Sequence, residues 1–407
     1  MLLKFAWRNI WRNKGRSILT LSAIAFATAI LVFFVGLQQS SYQATINANV
    51  SLFHGHFQIQ EKQYFNRYDI RHNFKLSEKT DKQINDLSGI AAWAKRAQAF
   101  GVVSTNNRSY AAQIIGVQPS KEKEISTIPG VVRSGSYLTD RSEYEAVIGK
   151  DLAKNLKADV GDELTFLGQT EDGSVAAAVF EIIGIFESGS RDLDRATVEI
   201  PLKAFDEVFA MNGQVHSYVF KATDGDKLKP LRKDLERVLE PYSDLLVLDW
   251  EQLIPGLRQA IELDMAAGWI FFFSLVIIVS FSVVNTFLMS VLERTKEFGV
   301  MLALGQKPFG IGILIVVECI LLSSVGLVLG VITGSAFLTY FSFNGFHIPG
   351  SEEIMRVWNL PVILYPHVGF KALTQGPLII TISTILAIIY PFIKVIKLEA
   401  IEALNSK

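Results

Sequence analysis

Cysteine is almost absent from this chain: Cys319 is the one thiol in 407 residues. An internal disulfide and a paired-cysteine metal site are thereby excluded, and a lone thiol inside an apolar run reads as a small core residue. Charge is scarce as well. Asp, Glu, Lys and Arg make up 19% of the residues, against about 25% in a soluble domain. The formal net charge of −1 supplies no field to attract a nucleic acid, so no nucleic-acid partner is expected. Catalytic signatures are missing too. A phosphate-binding loop needs Gly-x-x-x-x-Gly-Lys-Ser/Thr. The Gly149-Lys150 pair has Tyr144 at the first glycine position and Asp151 at the hydroxyl position. There is no Gly-x-Ser-x-Gly and no His-Glu-x-x-His. The chain is therefore read as non-enzymatic, with no cofactor or metal of its own.

What is present is long apolar runs. Crossing a bilayer takes about 20 apolar residues, and four stretches qualify: 17–40, 266–292, 308–340 and 375–393. The first is not read as a cleavable signal, because it is long and ends without a small-x-small site. Lys4, Arg8, Arg12, Lys14 and Arg16 precede the first span. Arg294, Lys296 and Lys307 lie between spans two and three, and Lys394 and Lys397 follow the fourth. The positive-inside rule then puts both termini, the loop 293–307 and the tail 394–407 in the cytoplasm. A large domain, 41–265, and a second loop, 341–374, holding Trp358 and Tyr365, fall outside. The predicted class is an α-helical membrane protein with four transmembrane helices plus an α+β extracytoplasmic domain.

Residues 1–16 suit an amphipathic interfacial helix. Leu3, Trp7, Ile10, Trp11 and Lys14 follow helical spacing, with Arg8 and Arg12 on a neighbouring face. It reads as a topology anchor or as a lever beside the transport helices. The loop Glu293-Arg294-Thr295-Lys296-Glu297-Phe298-Gly299-Val300-Met301-Leu302-Ala303-Leu304-Gly305 is denser in apolar residues than an ordinary connection. It reads as a docking surface for a cytoplasmic partner, or as a solvated turn with a buried edge.

This run resembles the signature of the FtsX-like permease superfamily, which includes the MacB-type exporters and the lipoprotein-releasing Lol permeases. The opening Ala6-Trp7-Arg8-Asn9-Ile10-Trp11-Arg12-Asn13 is similar to their N-terminal interfacial helix. The resemblance implies that Arg294, Glu297, Gly299, Leu302 and Gly305 belong to a coupling element touching a separate ATP-binding subunit. It implies a cytoplasmic ABC ATPase dimer carrying the ATP and Mg, a second permease subunit (identical or homologous), and a bacterial inner-membrane location with a periplasmic domain.

In that domain, short strands and turn signals suggest a small barrel-like or sandwich subdomain at about 137–215, inserted into an α/β layer that resembles the MacB-type periplasmic domain. His54 and His56 could share one face of a strand and bind a metal, though a strand start with a glycine bulge fits the phrase better. Gly326, Gly330 and Gly334 make a smooth groove for a close-packed helix, either within the subunit or from a second permease. Glu318 sits about 15 Å along the third span, a position that demands protein or water around it. Phe33, Phe34, Phe271, Phe272 and Phe273 are candidates for an apolar wall against lipid and cargo. The function expected from the resemblance is extraction of lipoproteins from the inner membrane and transfer to a periplasmic carrier. The alternatives are MacB-like export of a peptide, drug or lipid, or regulation of a cell-wall hydrolase or sensor kinase without transport.

Overall fold

The computed structural model describes residues 2–399 except 107, 224–227, 353, 354 and 356–361. Trp358 and tail residues 400–407 lie outside the described residues. The chain divides into two compact units, one of Met1–Gln43, Ala260–His347 and Ile363–Lys407, the other of Ala44–Gln259 and Ile348–Val362.

The first unit is helical. A short helix, Leu2–Ile10, passes through a 3-10 turn, Trp11–Asn13, into the first span helix, Lys14–Asn49. The second span helix is Pro255–Glu293, a linking helix runs Thr295–Ala303, and the third and fourth span helices are Pro308–Asn344 and Phe370–Ile396. The four long helices are each apolar enough to cross a membrane. The first two outrun the apolar stretches that announce them, reaching Asn49 instead of 40 and starting at Pro255 instead of 266. Hydropathy marks only bilayer thickness; polar turns without a breaker continue the helix beyond it.

Leu31, Val32, Val283, Ile315, Leu322 and Ile380 form the centre of this unit. The glycine stripe of the third span is filled from within the chain. A Cβ on Gly326 would lie 2.9 Å from Ile24, on Gly330 2.5 Å from Thr28, and on Gly334 2.8 Å from the Ala29 carbonyl. The first span helix thus occupies the groove, and the second-permease alternative for these glycines is set aside. Hydroxyl pairs tie other helices: Thr20 with Thr286 at 2.6 Å, and Ser280 with Ser383 at 2.8 Å. Such bonds suit a bundle that has no hydrophobic drive to associate in lipid.

Among the described residues the second unit holds ten strands: β1 Phe57–Glu61, β2 Ile90–Thr105, β3 Arg108–Val117, β4 Val132–Gly135, β5 Glu145–Gly149, β6 Glu163–Gln169, β7 Val175–Phe186, β8 Thr197–Pro201, β9 Ser217–Ala222 and β10 Leu245–Asp249. The order β10-β1-β9-β2, with helices Glu78–Asn85 and Leu228–Val238 as crossovers, is a split βαβ layer. Its core includes Ile59, Ile84, Phe220 and Leu235. β2 then continues past Arg96 and changes partners, pairing with β3 and β6. The path β2-β3-β8-β5-β7-β6 returns to β2, closing a six-stranded ring around Phe166, Phe180, Ile148 and Val198. The inserted subdomain therefore begins near Ala97, not 137. One 16-residue strand serves both halves, and no turn marks the passage.

His54 ends a π-helical turn, Val50–His54, and Gly55 takes φ 69° before β1 starts at Phe57. The two histidines therefore share no strand face; His56 Nδ1 accepts the Ala222 N–H at 3.2 Å. Nearby, Arg96 and Glu122 form a fully buried ion pair, and Arg96 also donates to the Phe53 carbonyl at 2.5 Å. Tyr137 donates to Glu199 at 2.6 Å, while the other Glu199 oxygen has no protein partner.

Candidate functional site

Charged groups of the helical unit converge where its short helix, linking helix and span ends meet. Arg294 breaks the run between the second span and the linking helix, with φ −102° and ψ 11°. Its side chain turns inward and is only 4% exposed. Nη1 donates to both oxygens of Glu318, at 3.0 and 3.3 Å, and Nε donates to Glu297 at 3.2 Å. Glu318 is 3% exposed and also accepts from Asn9 Nδ2 at 2.7 Å. Glu297 accepts from Arg12 at 2.8 Å, and Arg16 is paired with Glu293. Three arginines thus meet three glutamates, joining the 3-10 turn, the start of the first span, the second span's end, the linking helix and the third span, with Asn9 adding the short helix. A polar cavity of about 140 Å³ lies among them, lined in part by Asn13, Ser17, Thr286 and Ser290.

Glu318 is paired with Arg294 and hydrogen-bonded by Asn9, the condition under which a carboxyl group tolerates such a position. Its partner, 24 residues away across a helix break, has no sequence signal beyond the lone charge in an apolar run. Phe298 anchors the linking helix from below: it is fully buried, with the Arg294 guanidinium 5.0 Å from its ring centre.

The residues expected to form a coupling surface divide. Arg294 and Gly299 are buried, Leu302 is half-buried, and Glu297 is exposed but held by Arg12. Gly305 caps the linking helix with φ 91°. Its N–H reaches the Leu302 carbonyl and that of Gln306 reaches Met301, both at 3.0 Å, a Schellman motif. The face left open consists of Lys296, Val300, Ala303, Leu304 and Lys307. Val300 is 49% and Leu304 83% exposed. Helical spacing could have picked out this stripe; the choice of motif residues missed it.

In the short helix, Trp7 and Arg8 are exposed, and Trp7 meets Trp11 edge-on at 5.9 Å. The phenylalanine wall is not one surface. Phe34 packs on Phe271 and Phe272, Phe33 turns to Phe341 and Phe346, Phe272 is buried, and Phe273 is exposed. Of the four spans, the second is the least covered by the rest of the chain. Among the described residues no His, Cys, Asp and Glu cluster could hold a metal.

Four apolar spans, a charge-locked linking helix and an α/β domain with an inserted strand ring define a membrane-embedded permease. Residues 17–238 match the MacB-like periplasmic core domain, and residues 269–400 match the FtsX-like permease C-terminal region. The chain belongs to this FtsX/MacB family, and it is a permease component of an ABC transporter. It is 25% identical to the lipoprotein-releasing system transmembrane protein LolC of Xylella fastidiosa (strain 9a5c), over 73% of this chain and 74% of that protein. It is also 25% identical to the macrolide export ATP-binding/permease protein MacB of Bdellovibrio bacteriovorus, over 79% of this chain and 48% of that protein. The crystal structure of the periplasmic region of MacB from Actinobacillus actinomycetemcomitans matches with a TM-score of 0.38 at 17% identity, over 53% of this chain and 97% of that one.

Proposed function

We propose that this permease works by mechanical transmission in the bacterial inner membrane, extracting lipoproteins for a periplasmic carrier. A separate ATPase dimer binds the open face of the linking helix on the cytoplasmic side, where the Lys and Arg bias puts it. ATP and Mg act in that partner. The carrying observation is the charged knot, since a push on the linking helix reaches the 3-10 turn between the short helix and the first span through Glu297–Arg12, and the third span through Arg294–Glu318. Two such permeases, identical or homologous, face one another, and the acylated cargo enters from lipid beside Phe34 and Phe271. Similarity to LolC over 73% of the chain supports the lipoprotein reading. The similarity to MacB supports export of a peptide, drug or lipid as the second reading.

The test is purification from native membranes with partners intact, followed by mass spectrometry. An ATPase together with acylated lipoproteins is the expected result. An ATPase with an outer-membrane channel and no lipoproteins would favour export, and reproducible absence of any ATPase would overturn the central claim.

A further inference from the structure

The second unit contains a cavity of about 470 Å³ that the transmission scheme does not use. Its size falls within the range of small-molecule sites. It opens at the carboxyl ends of two neighbouring parallel strands, β3 and β8, which finish at Val117 and Pro201. Phe205, Leu202 and Val215 supply an apolar floor.

Three lysines line it. Lys95 is already paired with Asp81 at 2.6 Å. Lys121 and Lys203 have no carboxylate partner within ion-pair distance among the described residues. Lys121 is half-buried, with its ammonium 3.8 Å from the centre of the Trp93 ring, and burial lowers its pKa. An incoming anion would relieve that cost. The two carboxylates of the lining are engaged with backbone: Asp140 accepts the Ser120 N–H and Asp206 the Gly213 N–H. They also weigh against a dianion, so a singly charged group suits the site better than a phosphate.

We propose that this cavity binds a small amphiphilic carboxylate, with its charge on Lys121 and Lys203 and its apolar body against Phe205, Leu202 and Val215. Thr139 and Ser142 border the same cavity, and their hydroxyls, 3.3 Å apart within one turn, make that edge polar but uncharged. This site is independent of ATPase coupling and of the identity of the cargo.

The test uses the full chain in lipid nanodiscs and ligand-observed saturation-transfer NMR with 3-phenylpropionate as the probe. Saturable binding is expected, with acetate and the neutral 3-phenylpropanol each at least tenfold weaker. The K121Q/K203Q variant should lose at least tenfold in affinity and K121R/K203R should retain binding. The proposal is overturned if the wild type shows no saturable binding, if the alcohol binds equally well, or if the glutamine variant binds as the wild type does.

Discussion

At the scale of single residues, the most consequential contact is the one between Arg294 and Glu318. Removing one member of a buried pair leaves an uncompensated charge and costs about 3–5 kcal/mol, whereas replacing both with apolar groups is often neutral. Arg294→Ala should therefore lower the thermal midpoint in detergent sharply, and R294M/E318L should recover most of the loss. A single variant that melts like the native chain would mean that the pair anchors nothing. Glu199 offers a second test. Burial foremost, and then the neighbouring Glu122 charge, push its pKa from 4.5 up to about 8. Between those values the folded chain holds a proton that the unfolded chain releases, so this group's contribution to stability falls as pH rises through that window. His216 acts in the opposite sense. Burial pushes it from 6.5 down to about 4, and its contribution is lost as pH falls through that interval. Glu199→Gln should remove the alkaline-side loss and be the more stable form at pH 8, read from unfolding midpoints across pH 5–8.

Among elements, the linking helix and the glycine stripe carry the sharpest expectations. Val300→Asp with Leu304→Asp should abolish ATPase copurification while leaving the melting temperature within a few degrees, because both side chains are exposed. Loss of folding instead would show that the open face is structural. Gly330→Ala places a methyl 2.5 Å from Thr28 Cβ and 2.6 Å from the Ala25 carbonyl. Overpacking of that kind costs about 1–3 kcal/mol, measurable as a lowered midpoint. Much at this scale was legible in advance. Four long apolar runs, one of them carrying Glu318, announce four helices, and three glycines four apart announce a close helix contact, though not whose helix. The coupling loop was legible as a motif, but its inside and outside were not. Arg294 looks like a surface charge until Glu318 is known to lie beside it. The passage of β2 from layer to ring was hidden because the strand simply continues, and pairing partners leave no local mark.

For the molecule as a whole, membership of the FtsX/MacB family is carried by both units, since the periplasmic-core match covers 17–238 and the permease match covers 269–400. The helical unit is internally braced by glycine contacts and hydroxyl pairs, and at one end three arginines and three glutamates are paired. The shared strand β2 has a practical corollary for exchanging parts between relatives. The ring is not a detachable cassette, because a cut at its margin near Ala97 falls inside β2, between the residues that pair with β9 and those that pair with β3. A chimaera that keeps both cores closed must carry β2 whole, and because the layer's core also draws on β1, β9 and β10, the exchange must take Phe57 to Asp249 as one piece.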